Sequence, residues 1–285
     1  MTRIADLLAK GRTWSFEFFP PKTPEGQQSF DRAVDELAAL EPSFVSITYG
    51  AGGSARDTTY DLVVRVNEEQ GFPAMPHLTC VGHSRDELVD LLASYREHGV
   101  DNVLALAGDP PKDGSEPGGD FVYATELVAL AREVGDLAVG VAAFPEVHPR
   151  SPDRATDRRF LAAKLEAADF GMTQFFWDAT HYRTMVEELA ALGCTTPVVP
   201  GVMPFVSVAG ARRMSAMNNT HIPDALQERM DEVADDPEAT RRLGVEVATG
   251  LIEELLELDV PGIHLYAMNR AESIQEIYAA LGLHT

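Results

Sequence analysis

The sequence of 285 residues predicts an α/β fold: a single (β/α)8 TIM barrel with an extra helical insertion before the last strand. Three observations carry this expectation. Short, near-continuously apolar runs alternate with longer amphipathic ones, as strands covered on both faces alternate with the helices that cover them. The first seven runs end at residues 19, 48, 80, 107, 143, 177 and 202, a spacing that suits repeated βα units and a parallel sheet. The first run leads into Phe18-Phe19-Pro20-Pro21 rather than the glycine-rich phosphate turn that opens a doubly wound sheet.

Taken in order, the strands are expected at Trp14–Phe19, Phe44–Thr48, Met75–Cys80, Asn102–Ala107, Ala138–Ala143, Met172–Trp177, Pro197–Val202 and Gly262–Ala267. Several are rich in Val, Ile and Phe. The helices between them are expected at Gln27–Ala39, Thr58–Gln70, Arg85–His98, Ala124–Val134, Ala155–Ala168, Ala179–Leu192 and Val208–Met217. Ser84 followed by Glu87 is a capping box ahead of an apolar-periodic helix. The gap from Val202 to Gly262 exceeds one βα unit and holds a doubled helical insertion around Pro223–Leu258. No linker, low-complexity tract or composition break interrupts the pattern, so residues 1–285 read as one barrel domain.

Composition narrows the function. Acidic residues number 45 and basic ones 23, for a formal charge of −22. That argues against a nucleic-acid partner, which needs a basic footprint, and against an anionic membrane surface. A local basic pocket could still hold an anionic ligand. No apolar run reaches the roughly 20 residues of a membrane span, and Met1–Asp6 lacks the apolar core of a signal peptide. With two cysteines, Cys80 and Cys194, there is no disulfide framework. A cytoplasmic protein is expected.

In such a barrel, chemistry sits where strands end. Glu17 lies among three phenylalanines on the first strand. Burial disfavours its charged form, and a protonated carboxylic acid can be a general acid; pairing with an arginine is the alternative. Asp109 opens a loop, Gly108–Asp120, rich in Gly, Pro and Asp, and turn chemistry before two prolines is its alternative. Gln174, a neutral amide in an apolar strand, has donors and acceptors suited to a flat heterocycle, and satisfaction by backbone groups is the alternative. Gly50, Gly52 and Gly53 would let a ligand approach the backbone. Arg270, beyond the last strand, could clamp a carboxylate bidentately, with a solvated or structural arginine as the alternative. Of eight histidines, His77, His148, His181 and His264 fall on different elements. No His-x-x-x-His or His-Glu-x-x-His pair occurs, so no metal site is expected, and His77 and His148 read as hydrogen-bond partners.

Taken together the segments are recognisable. Ser15–Thr23 (SFEFFPPKT), Val45–Ala51 (VSITYGA), Pro76–Cys80 (PHLTC), Gly108-Asp109, Ala142–Pro149 (AAFPEVHP), Thr173–Asp178 (TQFFWD), Pro200–Pro204 (PGVMP) and Asn269–Glu272 (NRAE) resemble the 5,10-methylenetetrahydrofolate reductase family. The resemblance runs through nearly the whole chain in order. It implies hydride transfer from a reduced nicotinamide to methylenetetrahydrofolate, usually through FAD, giving 5-methyltetrahydrofolate. It implies Glu17 as the general acid that opens the bridging ring to an iminium, and Asp109 as the pterin contact that stabilises developing positive charge. Gln174 would be shared by folate and nicotinamide, and Arg270 would contact the substrate. Cofactor contacts are implied for Thr48, Tyr49, Ala51, His77, Gly108, His148, Lys164 and Gln174. NADH is the implied donor, with NADPH left open. The partners are then small molecules, and the oligomeric state is unreadable.

The departures bear on the flavin. The family's flavin proteins usually carry Arg where this chain has Ala107 and Tyr where it has Phe144. A flavin-contacting Asn and Arg in the helix before strand six are replaced by Phe160 and Ala163, while Lys164 remains. A Phe expected after the Pro-Gly-x-x-Pro turn is replaced by Val208, with Phe205 nearby. Apolar side chains offer a pyrophosphate no cationic donor, and Phe160 is expected to fill part of the vacated volume. The resemblance with these departures implies a reductase whose nicotinamide reduces folate directly. The FAD-dependent ping-pong route and a non-catalytic folate-binding barrel are the alternatives, and retention of Glu17, Asp109 and Gln174 argues against the last.

Overall fold

The computed structural model describes residues 2–49, 56–108 and 118–283; Asp109, Ala51, Gly50, Gly52 and Gly53 lie outside these. In chain order the elements are α1 (Ile4–Lys10), β1 (Thr13–Phe18), α2 (Pro24–Ala38), β2 (Phe44–Ile47), α3 (Arg56–Glu69), β3 (Ala74–Thr79) and α4 (Arg85–Glu97). Then come β4 (Asn102–Leu106), α5 (Ala124–Val134), β5 (Ala138–Ala143), α6 (Arg154–Ala167), β6 (Phe170–Thr173) and α7 (Ala179–Ala191). The chain finishes with β7 (Val198–Val199), β8 (Gly201–Val202), α8 (Val208–Asn218), α9 (Asp224–Val233), α10 (Pro237–Glu257), β9 (Gly262–Tyr266) and α11 (Glu272–Ala280).

All described strand pairs are parallel, in the order β7-β6-β5-β4-β3-β2-β1-β9-β8. The strands β7 and β8 are two halves of one barrel stave, so the expected (β/α)8 barrel is the observed fold. The break falls at Pro200, which has no N–H to give, while its carbonyl accepts from His264 N at 3.0 Å. One half pairs with β6 and the other with β9, which nearly closes the sheet.

The expected helices fall within a few residues of the observed ones. Strand six is the exception: it ends at Thr173, so Gln174–Trp177 form the following loop. Phe175 and Trp177 leave the barrel wall to pack with Met203, Phe205, Leu226, Met230 and Leu243. This satellite core docks α8 together with α9 and α10, which form the expected insertion. Trp177 Nε1 donates to Ser215 Oγ at 2.9 Å. Val208 and Phe205 are buried there.

Two helices, α1 and α11, carry no expectation above. The first is a floor for the barrel. Ile4 is fully buried with Phe44, Met75, Leu104, Phe170 and Met172 in the lower barrel. Its N–H donates to Asn102 Oδ1 at 2.7 Å, and Asn102 Nδ2 donates to Thr2 O at 3.1 Å. Gly140 leaves room for the Phe170 ring, which a Cβ would approach to 2.5 Å. Above this layer the interior turns polar, with Ser15, Ser46, His77 and His264 buried. No helix among the described residues is long and apolar enough to cross a membrane.

The floor gives a first test. Asn102→Ala leaves the Ile4 amide buried without an acceptor, which costs about 1–3 kcal/mol. A urea titration should show a lower midpoint with an unchanged slope.

Candidate active site

Strand alternation decides where Glu17 points. On β1 the side chains of Phe16 and Phe18 face the helices, where Phe18 meets Phe30 and Phe16 meets Tyr278. Glu17 faces the barrel interior, opposite Ser46 and Tyr266 in the ladders. Its carboxylate is therefore not set among phenylalanines, nor paired with an arginine. Its Oε2 lies 3.4 Å from His264 Nε2 and 3.3 Å from His77 Nε2. The side chain keeps 14% of its exposure, so it is reachable from the mouth.

The imidazoles have different supports. His264 is fully buried; its Nδ1 lies 2.8 Å from Ser15 Oγ and its Nε2 3.4 Å from Ser46 Oγ. The contact of His77 with Glu17 is close but off hydrogen-bond geometry, so His77 Nε2 is a buried polar atom with no hydrogen bond. Burial holds the His77 imidazole below its ordinary value; the Glu17 carboxylate opposes this and His264 adds to it. His77 is neutral at pH 7.

On the other side, Tyr266 OH donates to Thr173 O at 2.8 Å. Burial, and then the charge of Glu17, hold this phenol well above its ordinary value. Gly201 permits the contact: a Cβ there would lie 2.8 Å from the Tyr266 ring and 2.5 Å from Thr173 O. Gly201 N donates to Thr173 Oγ1 at 2.8 Å. Gln174 follows directly, half-buried, with Oε1 accepting from Phe175 N at 3.0 Å. Tyr266 thus brings Glu17 and Gln174 to the same end of the barrel.

Two side chains fix the rim. Arg158 is 3% exposed and donates to the carbonyls of Phe144, Pro145 and Glu146 at 3.2, 2.6 and 2.6 Å. It also meets Asp157 at 2.6 Å and Glu188 at 2.7 Å. Asp157 in turn accepts from His148 N and Ser151 Oγ. Across the mouth, Asn269 Oδ1 accepts from Phe19 N at 3.0 Å while its Nδ2 donates to Phe19 O at 2.8 Å. That clamp ties the loop after β9 to the loop after β1, and Asn269 adopts φ 55° to make it.

The remaining expected site residues fall in several places. Gly108 follows β4 with φ +92°, and a Cβ there would lie 3.1 Å from Thr79 and Val81, so glycine is required. Thr48 continues β2 by donating its N–H to Phe18 O at 2.9 Å. Tyr49 is buried in the layer between sheet and helices, its hydroxyl 3.1 Å from His83 Nε2. His148 packs edge-on to Phe144 at 4.5 Å. Lys164 is half-buried on α6; burial pulls its ammonium down to about 8, opposed by Asp157 and aided by Arg150. Phe160 corrects an expectation. It is 67% exposed on α6 and fills no vacated space. Ala163 is exposed beside it. Arg270 is exposed at the rim, and its guanidinium has no partner among the described residues. Among these, no three His, Cys, Asp or Glu are placed to hold a metal ion.

The family model described as methylenetetrahydrofolate reductase matches residues 2–282. The chain belongs to this family. A 5,10-methylenetetrahydrofolate reductase of Pectobacterium carotovorum is 36% identical over 94% of this chain and 90% of its own length. A probable methylenetetrahydrofolate reductase (NADH) of rice is 35% identical over 99% of this chain, which spans 50% of that longer protein. In fold, a Clostridium thermocellum protein described as binding two copies of 5-methyl-5,6,7,8-tetrahydrofolic acid superposes with a TM-score of 0.65. It shares 13% identity over 98% of this chain and 97% of its own. As a member of the methylenetetrahydrofolate reductase family, the chain is an oxidoreductase.

Three parts of the site carry no role in the sequence reading. His264 was visible only as one histidine on its own element, Arg158 as one of many arginines, and Asn269 only within a motif. The signal for His264 was its alternation with Tyr266 on the last strand, in step with Ser15 and Glu17 on the first.

The depressed His77 makes stability pH-dependent with a definite sign. In the unfolded chain this imidazole titrates near 6.5, and in the fold below it. Its stabilising effect is complete above pH 6.5 and is lost as pH falls toward the folded value, because the unfolded chain then binds the extra proton. Thermal midpoints measured from about pH 8 to about pH 5 should fall more steeply for the wild type than for His77→Gln. Parallel curves would show that His77 is not held neutral.

Proposed function

We propose that this chain reduces 5,10-methylenetetrahydrofolate to 5-methyltetrahydrofolate, with hydride passing directly from NADH. The observation that carries the reading is a carboxyl group, Glu17, half-buried against two imidazoles yet open to a ligand. The family, the rice relative named for NADH and the folate-binding title of the Clostridium protein support the substrates. Glu17 gives a proton to the bridging nitrogen as its bond to the methylene carbon breaks. The methylene becomes an iminium on the other nitrogen, and hydride attacks that carbon. One hydride and one proton are consumed, the nicotinamide leaves oxidised, and the folate leaves as a methyl amine.

This chain's own residues supply the rest. Gln174, with its Nε2 free among the described residues, reads the edge of the heterocycle. The role the family resemblance implies for Asp109 is to stabilise the developing positive charge, and that for Arg270 is to contact the substrate. His77 Nε2 meets the bound ligand from below. The barrel acts as one catalytic domain over residues 1–285, in the cytoplasm.

A flavin dinucleotide does not fit this donor set. Arg154 and Arg158 are committed to Glu188 and to loop carbonyls. Ala107, Phe144, Phe160 and Ala163 offer no charged hydrogen bond, and each one lost weakens binding by about 1.5–3 kcal/mol. One observation favours the other route, through FAD: Lys164 and Arg150 remain as neighbouring cations beside α6.

Two experiments test this. Glu17→Gln keeps the shape and removes the acid; kcat should fall about 10²-fold, with folate affinity changed far less. A fully active variant would sink the acid role. Denatured, purified protein should release no flavin, and initial-rate lines with NADH and folate should intersect. One FAD per chain, or parallel lines restored by added FAD, returns the chain to a ping-pong flavoenzyme.

A further inference from the structure

Helix α10, 21 residues long, has two unlike sides. The inner side is packed: a Cβ on Gly244 would overlap Phe205 O, and Leu251, Ile252 and Leu255 join the main core. The outer side carries Arg242, Val245, Glu246, Thr249, Gly250 and Glu253, at the spacing of one helix face. It is the floor of an open groove of about 740 Å³, flanked by α9 and α11.

Three features of the outer side find no partner in the chain itself. Gly250 lies in the helix interior, where glycine is less favourable than alanine, yet a Cβ there would meet nothing within 4 Å. Gly244 is required by its neighbour; Gly250 is required by none. Thr249 Oγ1 is buried without a hydrogen-bond partner among the described residues. Glu253 is exposed and unpaired among them, whereas Glu238 and Glu246 are each held by an arginine.

This face is complementary to itself when reversed. A two-fold axis across α10, passing between Val247 and Ala248, sets Arg242 opposite Glu253, Val245 opposite Gly250 and Glu246 opposite Thr249 of a second copy. Val245 then fills the space that Gly250 leaves. Arg242 gives one N–H to Glu238 at 2.6 Å and keeps other donors for Glu253. Arg229 holds Glu246 Oε1 at 2.7 Å, which leaves Oε2 to accept from Thr249. A turn about χ1, where threonine in a helix has two accessible states, brings that hydroxyl outward. The like charges Glu238 and Glu257 come opposite one another only at the two ends, where helices crossing at an angle have diverged.

We propose that this face of α10 is a homodimer interface, its partner a second copy of this chain packed antiparallel about that axis. The contact is isologous, so each pair is made twice. Ala225 on α9 and Ala280 on α11, small and exposed, border the groove and let the flanking helices approach as well. Trp177, on the loop that carries Gln174, also lines the groove, so the interface backs that loop.

The test is sedimentation equilibrium over a roughly hundredfold range of concentration. Each copy carries −22, so it is run at about 0.15 M salt, where repulsion beyond about 8 Å is screened. The wild type should approach twice the mass of one chain. Gly250→Leu fits the single chain, because its Cβ meets nothing, and should keep its thermal midpoint while raising the dissociation constant about tenfold or more. Arg242→Glu should weaken association about as much, and adding Glu253→Arg should restore it, since the exchange rebuilds both charge pairs. The mass of one chain at every concentration overturns the interface. So does a dimer that neither single substitution weakens, which places the contact on another surface. An exchanged double variant that stays as weak as Arg242→Glu overturns the antiparallel register.

Discussion

A carboxylate held in a closed barrel sets the terms for what surrounds it. Glu17 faces inward because strand side chains alternate, so its carboxyl group meets the barrel interior rather than the helices. The interior answers with graded chemistry. Below Glu17 the lumen is filled by Phe44, Met75, Leu104 and Phe170, and sealed by Ile4. Around it stand His77, His264, Ser15 and Ser46, contributed by β1, β2, β3 and β9. Their meeting depends on barrel register: Glu17 lies beside Ser46 on one side and Tyr266 on the other. A slip of one residue in any of these strands would turn a polar partner out toward the helices.

The same economy governs the rim. Loops carry the function, but loops are soft unless the scaffold holds them. Here the holding is done by two buried polar side chains that bond backbone rather than ligand. Arg158 gathers three successive carbonyls of the loop after β5. A buried guanidinium is stable only when nearly all its donors are used, which this one achieves with Asp157 and Glu188. Asn269 holds Phe19 by both its N–H and its carbonyl. The mouth is thus preorganised, with little reorganisation left for the moment of reaction.

Electrostatics divides the surface. The chain carries −22 overall, which repels polyanions at a distance. Against that background Lys22, Arg32 and Arg270 stand close together beside the loops after β1 and β9, with Glu36 and Glu272 next to them.

Much of this was legible in the sequence. Apolar runs of strand length, separated by helices of regular spacing, gave the barrel, because period and length are local properties of the chain. The family motifs placed Glu17, Gln174 and Arg270 at strand ends, and the structure brings Glu17 and Gln174 to one end through Tyr266 and Thr173. What tertiary structure alone decided was partnership. Phe16 and Phe18 surround Glu17 in sequence yet sit on the opposite face, so its partners come from 60 and 247 residues away: His77, by the numbering, and His264. Tyr49, an implied cofactor contact, is buried beside His83, and Phe160, expected to fill vacated volume, is exposed. Strand six ended early because Phe175 and Trp177 gain more by joining the insertion's core than by lengthening the wall. The physical reason is common to all of these: local sequence fixes the period and direction of each element, while the environment of a side chain is set by which distant element closes against it.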